Sequence, residues 1–400
     1  MALAFSGGGD STALLHMLRG RAQDCTVMVI DHALREGSAA EADTARKFAE
    51  SLGYSAHVLR WEHGGVTSAM QERARNARYT LLGLLCRSLG IRFLVTAHTA
   101  GDQAETCLMR YDRGTGWRGA AGMAERVIAP IWPELDGITV LRPLLGATRT
   151  ELRAYNTTHD LPFIDDPSNE NRSFARIRAR DYLAARPTLA ADLIETANAM
   201  QEGLAVERQR FTAFMTESVA GTDMGYAKLS QLPPKALLTQ LMFAIGGHVG
   251  QARPSLPDAF IGAANNSEFK ATTWGGAKLS RGHDGFLLTR EAASVKGRYG
   301  KNGLLARLPL FPGAPSLLWD GRFWASSSLS DVSIGPLYGQ MKSVPKRFEG
   351  LVKSTPAEAR PALPVIWQGD DIVAIGHSGG DIDLKSAIPG RLQGRLSSTG

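Results

Sequence analysis

Six consecutive residues near the amino terminus, Ser6-Gly7-Gly8-Gly9-Asp10-Ser11, have the types and spacing from which phosphate chemistry can be built. Glycines accept backbone angles and close approaches that a side chain forbids, so successive N–H groups can face a phosphate. A helix opening at that point adds its positive end. The spacing fits neither G-x-x-x-x-G-K-[ST] nor G-x-G-x-x-G, so it supports neither a Walker ATPase nor a dinucleotide dehydrogenase. Seen alone, three glycines also fit an ordinary turn in which Asp10 or Ser11 caps a helix. A second constellation is His98-Thr99-Ala100-Gly101-Asp102-Gln103-Ala104-Glu105-Thr106. Asp102 and Glu105 stand three residues apart, which makes them neighbours on one helical face. Two adjacent carboxylates can hold a magnesium ion or an ammonium group, or simply form a solvated acidic turn favoured by the helix dipole. A third is the arginine cluster Arg172, Arg176, Arg178, Arg180 and Arg186, opposed within its stretch only by Asp181. It reads either as a polyanion contact or as a solvated helix face.

Ahead of the glycines, Ala2-Leu3-Ala4-Phe5 is the short apolar run of a buried parallel strand, and residues 12–20 read as a helix with Leu14, Leu15 and Leu18 on one face. Strands are expected at 25–30, 54–59 and 91–97, with helices over 38–52 and 69–89 between them. Such alternation predicts an α/β fold with a doubly wound parallel sheet, whose ligands bind at the carboxyl ends of the strands. Both the glycine loop and the His98 block fall there. Thr99 with Asp102 three residues on resembles a capping box and opens another helix. Residues 114–119 (G-T-G-W-R-G) look too glycine-rich for a helix and read as an adaptable loop or a turn, and residues 148–159 as a helix. A change of character near residue 187 places a catalytic domain at 1–186, a helical then α+β domain at 187–291 and a carboxyl-terminal domain at 292–400. In the last of these, strands are expected at 322–325 and 372–375, and the tail from 391 is expected to be loose.

The chain has 400 residues, 44% of them hydrophobic, and a formal net charge of +6, which is compatible with a polyanionic partner without establishing one. No apolar run approaches the length of a membrane span, and no signal peptide is evident at the amino terminus, so a cytoplasmic location is expected. Cys25, Cys86 and Cys107 form no C-x-x-C pair, so neither a zinc knuckle nor a disulfide framework is indicated and buried thiols are expected.

The glycine hexapeptide resembles the S-G-G-x-D-S signature of the PP-loop ATP pyrophosphatases, which split ATP to AMP and pyrophosphate and activate a carbonyl oxygen as its adenylate. Within that superfamily the chain resembles the tRNA(Ile)-lysidine synthetase family. The matching pieces are I-D-H-A-L-R from Ile30, Q-E-R-A-R-N-A-R-Y from Gln71, H-T-A-G-D-Q-A-E-T from His98 and R-G-T-G-W-R-G-A-A-G-M from Arg113. They continue with R-P-L-L from Arg142, D-P-S-N from Asp166 and R-I-R from Arg176. The resemblance is dense from 1 to about 182 and weaker beyond. It departs from the family at Thr99 and Gly101, where a second His and an additional Asp are usual. Family members also usually begin before the first strand, which Met1 here directly precedes.

The resemblance implies ligation of L-lysine to carbon 2 of the wobble cytidine in the CAU anticodon of tRNA(Ile), through an adenylated cytidine, with ATP and magnesium. It implies ATP binding by Ser6, Gly7, Gly8, Gly9, Asp10 and Ser11, with Asp10 as a magnesium ligand. Asp102 and Glu105 are the expected catalytic pair and lysine-ammonium site, either of them able to accept a proton. Arg176 and Arg178 are the expected tRNA phosphate contacts, and the carboxyl-terminal domains the expected gauge of tRNA shape. Two other readings compete: a tRNA cytidine thiolase on the same scaffold, against which the absence of C-x-x-C argues, and a non-catalytic RNA-binding relative, against which the retention of Asp10, Asp102 and Glu105 together argues.

Overall fold

The structure, a computed structural model, describes residues 1–21, 24–34, 36–63, 70–164, 175–249, 255–296, 305 and 307–397. The D-P-S-N run from Asp166, and Arg172 with it, lie outside the described residues. The chain forms two compact units, one made of 1–208 with 394–400 and the other of 209–393.

The first unit contains β1 (Ala2–Phe5), α1 (Gly9–Leu18), β2 (Thr26–Asp31), α2 (Ser38–Ser51), β3 (Ser55–Arg60), α3 (Met70–Ser88), β4 (Phe93–Thr96) and α4 (Ala100–Asp112). There follow α5 (Gly116–Ala120), β5 (Arg126–Ile128), β6 (Thr139–Leu141), α6 (Arg149–Thr158), α7 (Ala175–Ala184) and α8 (Pro187–Ser218), whose residues from 209 onward belong to the second unit. Its sheet has the order β3-β2-β1-β4-β6-β5, parallel throughout except for the antiparallel β5–β6 pair at one edge. Side chains alternate across it as a two-sided parallel sheet requires. Leu3, Phe5, Val27 and Val29 join Leu14 and Leu15 of α1, Ala45 and Ala49 of α2 and Leu152 of α6 in one core. Ala2, Met28 and Leu94 face the other way, with Tyr79, Leu82 and Cys86 of α3 and with Ile131, Leu135 and Ile138. The sheet is therefore doubly wound. The strand order reverses direction between β1 and β4, and the crevice beyond the carboxyl ends of such a pair is where open α/β sheets take their ligands.

Two local expectations differ from the structure. Residues 116–120 are the short helix α5, because Gly119 lets the turn close where a Cβ would fall 2.0 Å from Thr115 Oγ1. From α8, Gln201 donates to the Ala121 carbonyl at 2.7 Å and Glu207 pairs with Arg118, which pins α5 in place. The tail is also ordered further than expected, as a helix over Ile388–Ser397. There a Cβ on Gly394 would lie 2.9 Å from Ala129 Cβ, so only a glycine permits that approach.

The second unit holds antiparallel sheets of five, four and three strands. The five-stranded one includes Ala271–Trp274, Ala277–Gly282 and Gly285–Arg290, turning at Gly275-Gly276 and at His283-Asp284. Phe323–Ser327 and Asp371–Ile375 are strands as expected, and they pair with segments such as Ile382–Ser386 and Pro364–Gln368. Arg290 and Arg322 both grip Asp320, at 2.9 and 2.6 Å, and Arg322 is 1% exposed. Among the described residues no helix is long and apolar enough to cross a membrane. The three cysteines are free and buried.

Candidate active site

The glycine loop leaves β1 and turns straight into α1. Gly7 sits at φ +77°, where a Cβ would also press on Ala45 Cβ and Ile164 Cδ1, each at 3.3 Å. Gly8 is the N-cap in extended conformation and provides no side-chain cap, so the first-turn N–H groups of α1 are left for an anion. The loop is braced from three directions. Ser11 Oγ donates to the Gly8 carbonyl at 2.9 Å and lies 3.1 Å from Ser6 Oγ, Asn156 Nδ2 donates to the Gly9 carbonyl at 2.8 Å, and Ile164 N donates to the Gly7 carbonyl at 2.9 Å. A cradle held this rigidly pays little ordering entropy when a phosphate binds.

β4 delivers the second constellation beside it. Thr99 caps α4 in a full capping box: its N–H and hydroxyl both donate to Asp102 Oδ2, at 2.9 and 3.0 Å, and its Oγ1 accepts from the Asp102 N–H at 3.4 Å. The threonine at the position where this chain departs from the family motif thus orients the carboxylate. Asp102 Oδ1 is left to accept from Arg149 Nη2 at 2.9 Å and Arg176 Nη2 at 3.0 Å. Glu105, 2% exposed, accepts from Arg176 Nε at 2.8 Å on one oxygen and from Arg180 Nε at 2.7 Å on the other. Burial alone would raise the Asp102 carboxyl, but Arg176 and Arg149 outweigh it and hold the group below the usual carboxylate range. Asp10 goes the other way, because burial exceeds the attraction of Arg149, whose Nε lies 3.4 Å from its Oδ2, and Asp102 adds repulsion. His98, its Nδ1 2.8 Å from Thr96 Oγ1, is pushed down to about 3 chiefly by burial, so the imidazole is neutral at physiological pH.

The loop opens on a cavity of about 490 Å³, lined by Ser6, Asp10, Ser11, His98, Arg149 and Arg180 among others, and the two arginines on its wall hold the carboxylates of Asp102 and Glu105. That volume suits a small ligand or a nucleotide. Arg149 is its keystone, since a single guanidinium contacts Asp10 on the loop, Asp102 on α4 and, at 3.8 Å, Glu105.

A family model described as a PP-loop domain matches residues 1–186. The tRNA(Ile)-lysidine synthase of Hyphomonas neptunium is 32% identical over 290 residues, covering 70% of this chain and 78% of that protein. Those of Ruegeria pomeroyi and Caulobacter vibrioides are 31% and 30% identical, covering 95% and 92% of this chain and 88% and 84% of theirs. The chain belongs to the tRNA(Ile)-lysidine synthase family. It is thus an enzyme built on an ATP-using PP-loop domain.

Against that family background, the site residues are distributed as follows. The hexapeptide Ser6 to Ser11 and the pair Asp102 and Glu105 are brought together. The arginine cluster is divided: Arg176 and Arg180 turn toward the two carboxylates, whereas Arg178 is exposed and lines a separate groove. Arg149, Asn156 and His98 belong to the site, the first and last lining the cavity and Asn156 bracing the loop, without having been singled out as site residues in the sequence. Arg149 and Asn156 belong to α6, which packs beside α1 and so brings them to the loop.

Proposed function

We propose that this enzyme ligates L-lysine to carbon 2 of the wobble cytidine of a tRNA(Ile) with a CAU anticodon, by way of an adenylated cytidine. The observation that carries the reading is Arg149, which lines the nucleotide cavity and there contacts Asp10 of the phosphate loop as well as Asp102 and Glu105 on α4. An adenylation site and an ammonium site are therefore contiguous. In the first step the cytosine O2 attacks the α-phosphorus of ATP, an O–P bond forms, and the bond to the β-phosphate oxygen breaks to release pyrophosphate. The uncapped N–H groups at the start of α1 face the phosphates and stabilise the charge that collects on the leaving group. In the second step the lysine ε-nitrogen bonds to carbon 2 and AMP departs with the former O2.

The amine attacks uncharged, although its free pKa is about 10.4. Asp102, held ionised by its arginines, orients the incoming ammonium, and Glu105 flanks it on the next turn. Either carboxylate takes up the proton that the amine releases. The neutral imidazole of His98, anchored to Thr96, presents a polar edge to the same cavity without adding charge.

A magnesium ion fits Asp10. Only its Oδ2 is engaged among the described residues, by Arg149 at 3.4 Å, and one carboxylate together with substrate phosphates is a usual way of holding this ion. When bound it screens the charge on the pyrophosphate. Residues 187–291 and 292–400 supply the surfaces that gauge tRNA shape.

The test is incubation of the full chain with ATP, labelled lysine and a tRNA(Ile) transcript carrying CAU. Pyrophosphate release, and recovery of one lysine per tRNA at the wobble cytidine by nucleoside mass spectrometry, are expected. Pyrophosphate release without lysine incorporation, or incorporation of sulfur in its place, would overturn the proposal.

A further inference from the structure

A second concavity, of about 900 Å³, lies between α4, α7 and the first turns of α8 and shares no lining residue with the nucleotide cavity. Helix geometry nevertheless ties it to the carboxylates. On α4, Leu108, Met109 and Asp112 follow Glu105 at i+3, i+4 and i+7, so the groove wall is the same stripe that carries Glu105, extended about 10 Å along the axis. On α7 the stripe Ala175, Arg178, Ala179 and Tyr182 lines the groove, while Arg176 and Arg180 hold the carboxylates. Two short helices thus build both sites.

The chemistry of the groove is specific. Its floor is apolar, with Leu108, Leu189 and Leu193, and two tyrosines stand at its mouth, Tyr111 at 76% and Tyr182 at 45% exposure. The Arg186 guanidinium stacks over the Tyr182 ring, 3.9 Å from its centroid. Arg113 and Arg178 line the groove, and so do two carboxylates, Asp112 and Asp192. Exposed rings beside guanidinium groups are the usual stacking platform for unpaired bases. Carboxylates repel phosphate but accept hydrogen bonds from the amino and imino groups of a base edge. The interior therefore suits a base, and the arginines suit its backbone.

We propose that this groove takes an unstacked base of the tRNA anticodon loop, a neighbour of the wobble cytidine, stacked on Tyr111 and Tyr182. The inference rests on the proposed function for the identity of the RNA. Seating a neighbouring base about 10 Å from Glu105 splays the loop, which is what the wobble base needs in order to leave the stack and reach the nucleotide cavity.

The test uses the full chain and an anticodon stem–loop of tRNA(Ile) with 2-aminopurine placed singly at the loop positions on either side of the wobble cytidine. Fluorescence on binding and the dissociation constant are measured for wild type, Tyr111→Ala, Tyr182→Ala, the double variant, and each Tyr→Phe. We expect binding to change the fluorescence at one position at least, and each alanine to weaken binding roughly 5- to 150-fold, the worth of one stacked base. Phenylalanine should restore both signals and the KM for ATP should stay constant. Thr196→Trp, which fills the groove while leaving the tyrosines in place, should block the fluorescence change as well. Unchanged affinity and fluorescence in the double alanine and Thr196→Trp variants overturn the inference and hand the groove to a protein partner. Phenylalanine variants as weak as alanine also overturn it, because stacking would not be the cause. Lysidine formation by wild type is followed in parallel on the full tRNA(Ile) transcript. If lysidine forms while the groove variants bind normally, the groove assignment alone fails; if none forms while the fluorescence change depends on the tyrosines, the groove stands and the ligation proposal fails.

Discussion

Glu105→Gln separates an arginine anchor from a lysine receptor, because the two roles predict different losses. Glu105 is almost fully buried and each of its oxygens accepts from a different arginine, at 2.8 and 2.7 Å. Hydrogen bonds to charged groups contribute about 1.5–3 kcal/mol each. The glutamine keeps one carbonyl acceptor, while its amide nitrogen faces a guanidinium it cannot bond. The arginines are 39% and 31% exposed, and Arg176 retains Asp102 at 3.0 Å, so screening and the remaining partner absorb part of the loss. About 2 kcal/mol of stability should go. In a unit of roughly 150–250 residues that is a fall in melting temperature of about 4–8 °C.

The effect on lysine is separate. An ammonium that loses a charged partner forfeits about 1.5–3 kcal/mol, which raises the KM for lysine roughly 10- to 150-fold and leaves that for ATP near its original value. Thermal melting of the ligand-free protein, and lysidine formation at varied lysine with saturating ATP and tRNA, read the two losses independently. A variant that melts early but keeps its lysine dependence would show that Glu105 only anchors arginines. That outcome refutes the ammonium-site assignment.

Four further outcomes are expected. Asp10→Asn and Ser11→Ala should each abolish pyrophosphate release while filter binding of tRNA stays near wild type, and parallel loss of both would make the loop structural. Gly7→Ala forces a side chain into a left-handed conformation with contacts at 3.3 Å, so melting should show a loss of about 1–2 kcal/mol or more, and pyrophosphate release should fall with it. Arg178→Ala should flatten the salt dependence of tRNA binding by roughly one unit of slope between about 50 and 200 mM salt, whereas Arg176→Ala should act mainly on the KM for lysine. His98 is neutral in the fold down to about pH 3, whereas the unfolded chain protonates it below about 6.5. Stability therefore falls as pH drops through that window, and His98→Gln should make the fall shallower in denaturant titrations without abolishing it, because burial also lowers His16 and His32.

The catalytic unit was legible in the sequence where its signals are local. A glycine loop between an apolar strand and a helix, β and α runs in alternation, and Thr99 three residues before Asp102 each depend on residues only a few positions apart. The second unit was harder because its strands are short and punctuated by proline and glycine. Val332–Pro336 and Pro364–Gln368 pair end to end through Pro336 and Pro364, and a run of five residues ending on a proline carries little period-two signal. The helix at Gly116 was hidden for a related reason. Its glycines count against helicity by propensity, and the closure that requires Gly119 is visible only once Thr115 is placed against it.

The arginine cluster is the most instructive case, because the sequence held a signal that charge counting passes over. Arg176 and Arg180 are four apart and so share a helix face, matching Asp102 and Glu105, which are three apart on theirs. Two pairs of opposite sign at helical spacing can meet face to face when their helices pack, and α4 and α7 do pack in this way. Arg178, two residues from each, must then point elsewhere, and it lines the groove beside Tyr182. Grouping Arg176 with Arg178 treated the cluster as one surface, whereas its period divides it into an inward pair and an outward residue. Arg149 had no such signal. It opens α6 directly after the cap Thr148, with no charged partner at helical spacing across the site, and reaches Asp10 and Asp102 only because the sheet places β1 beside β4. A residue positioned by strand order alone cannot be read from spacing.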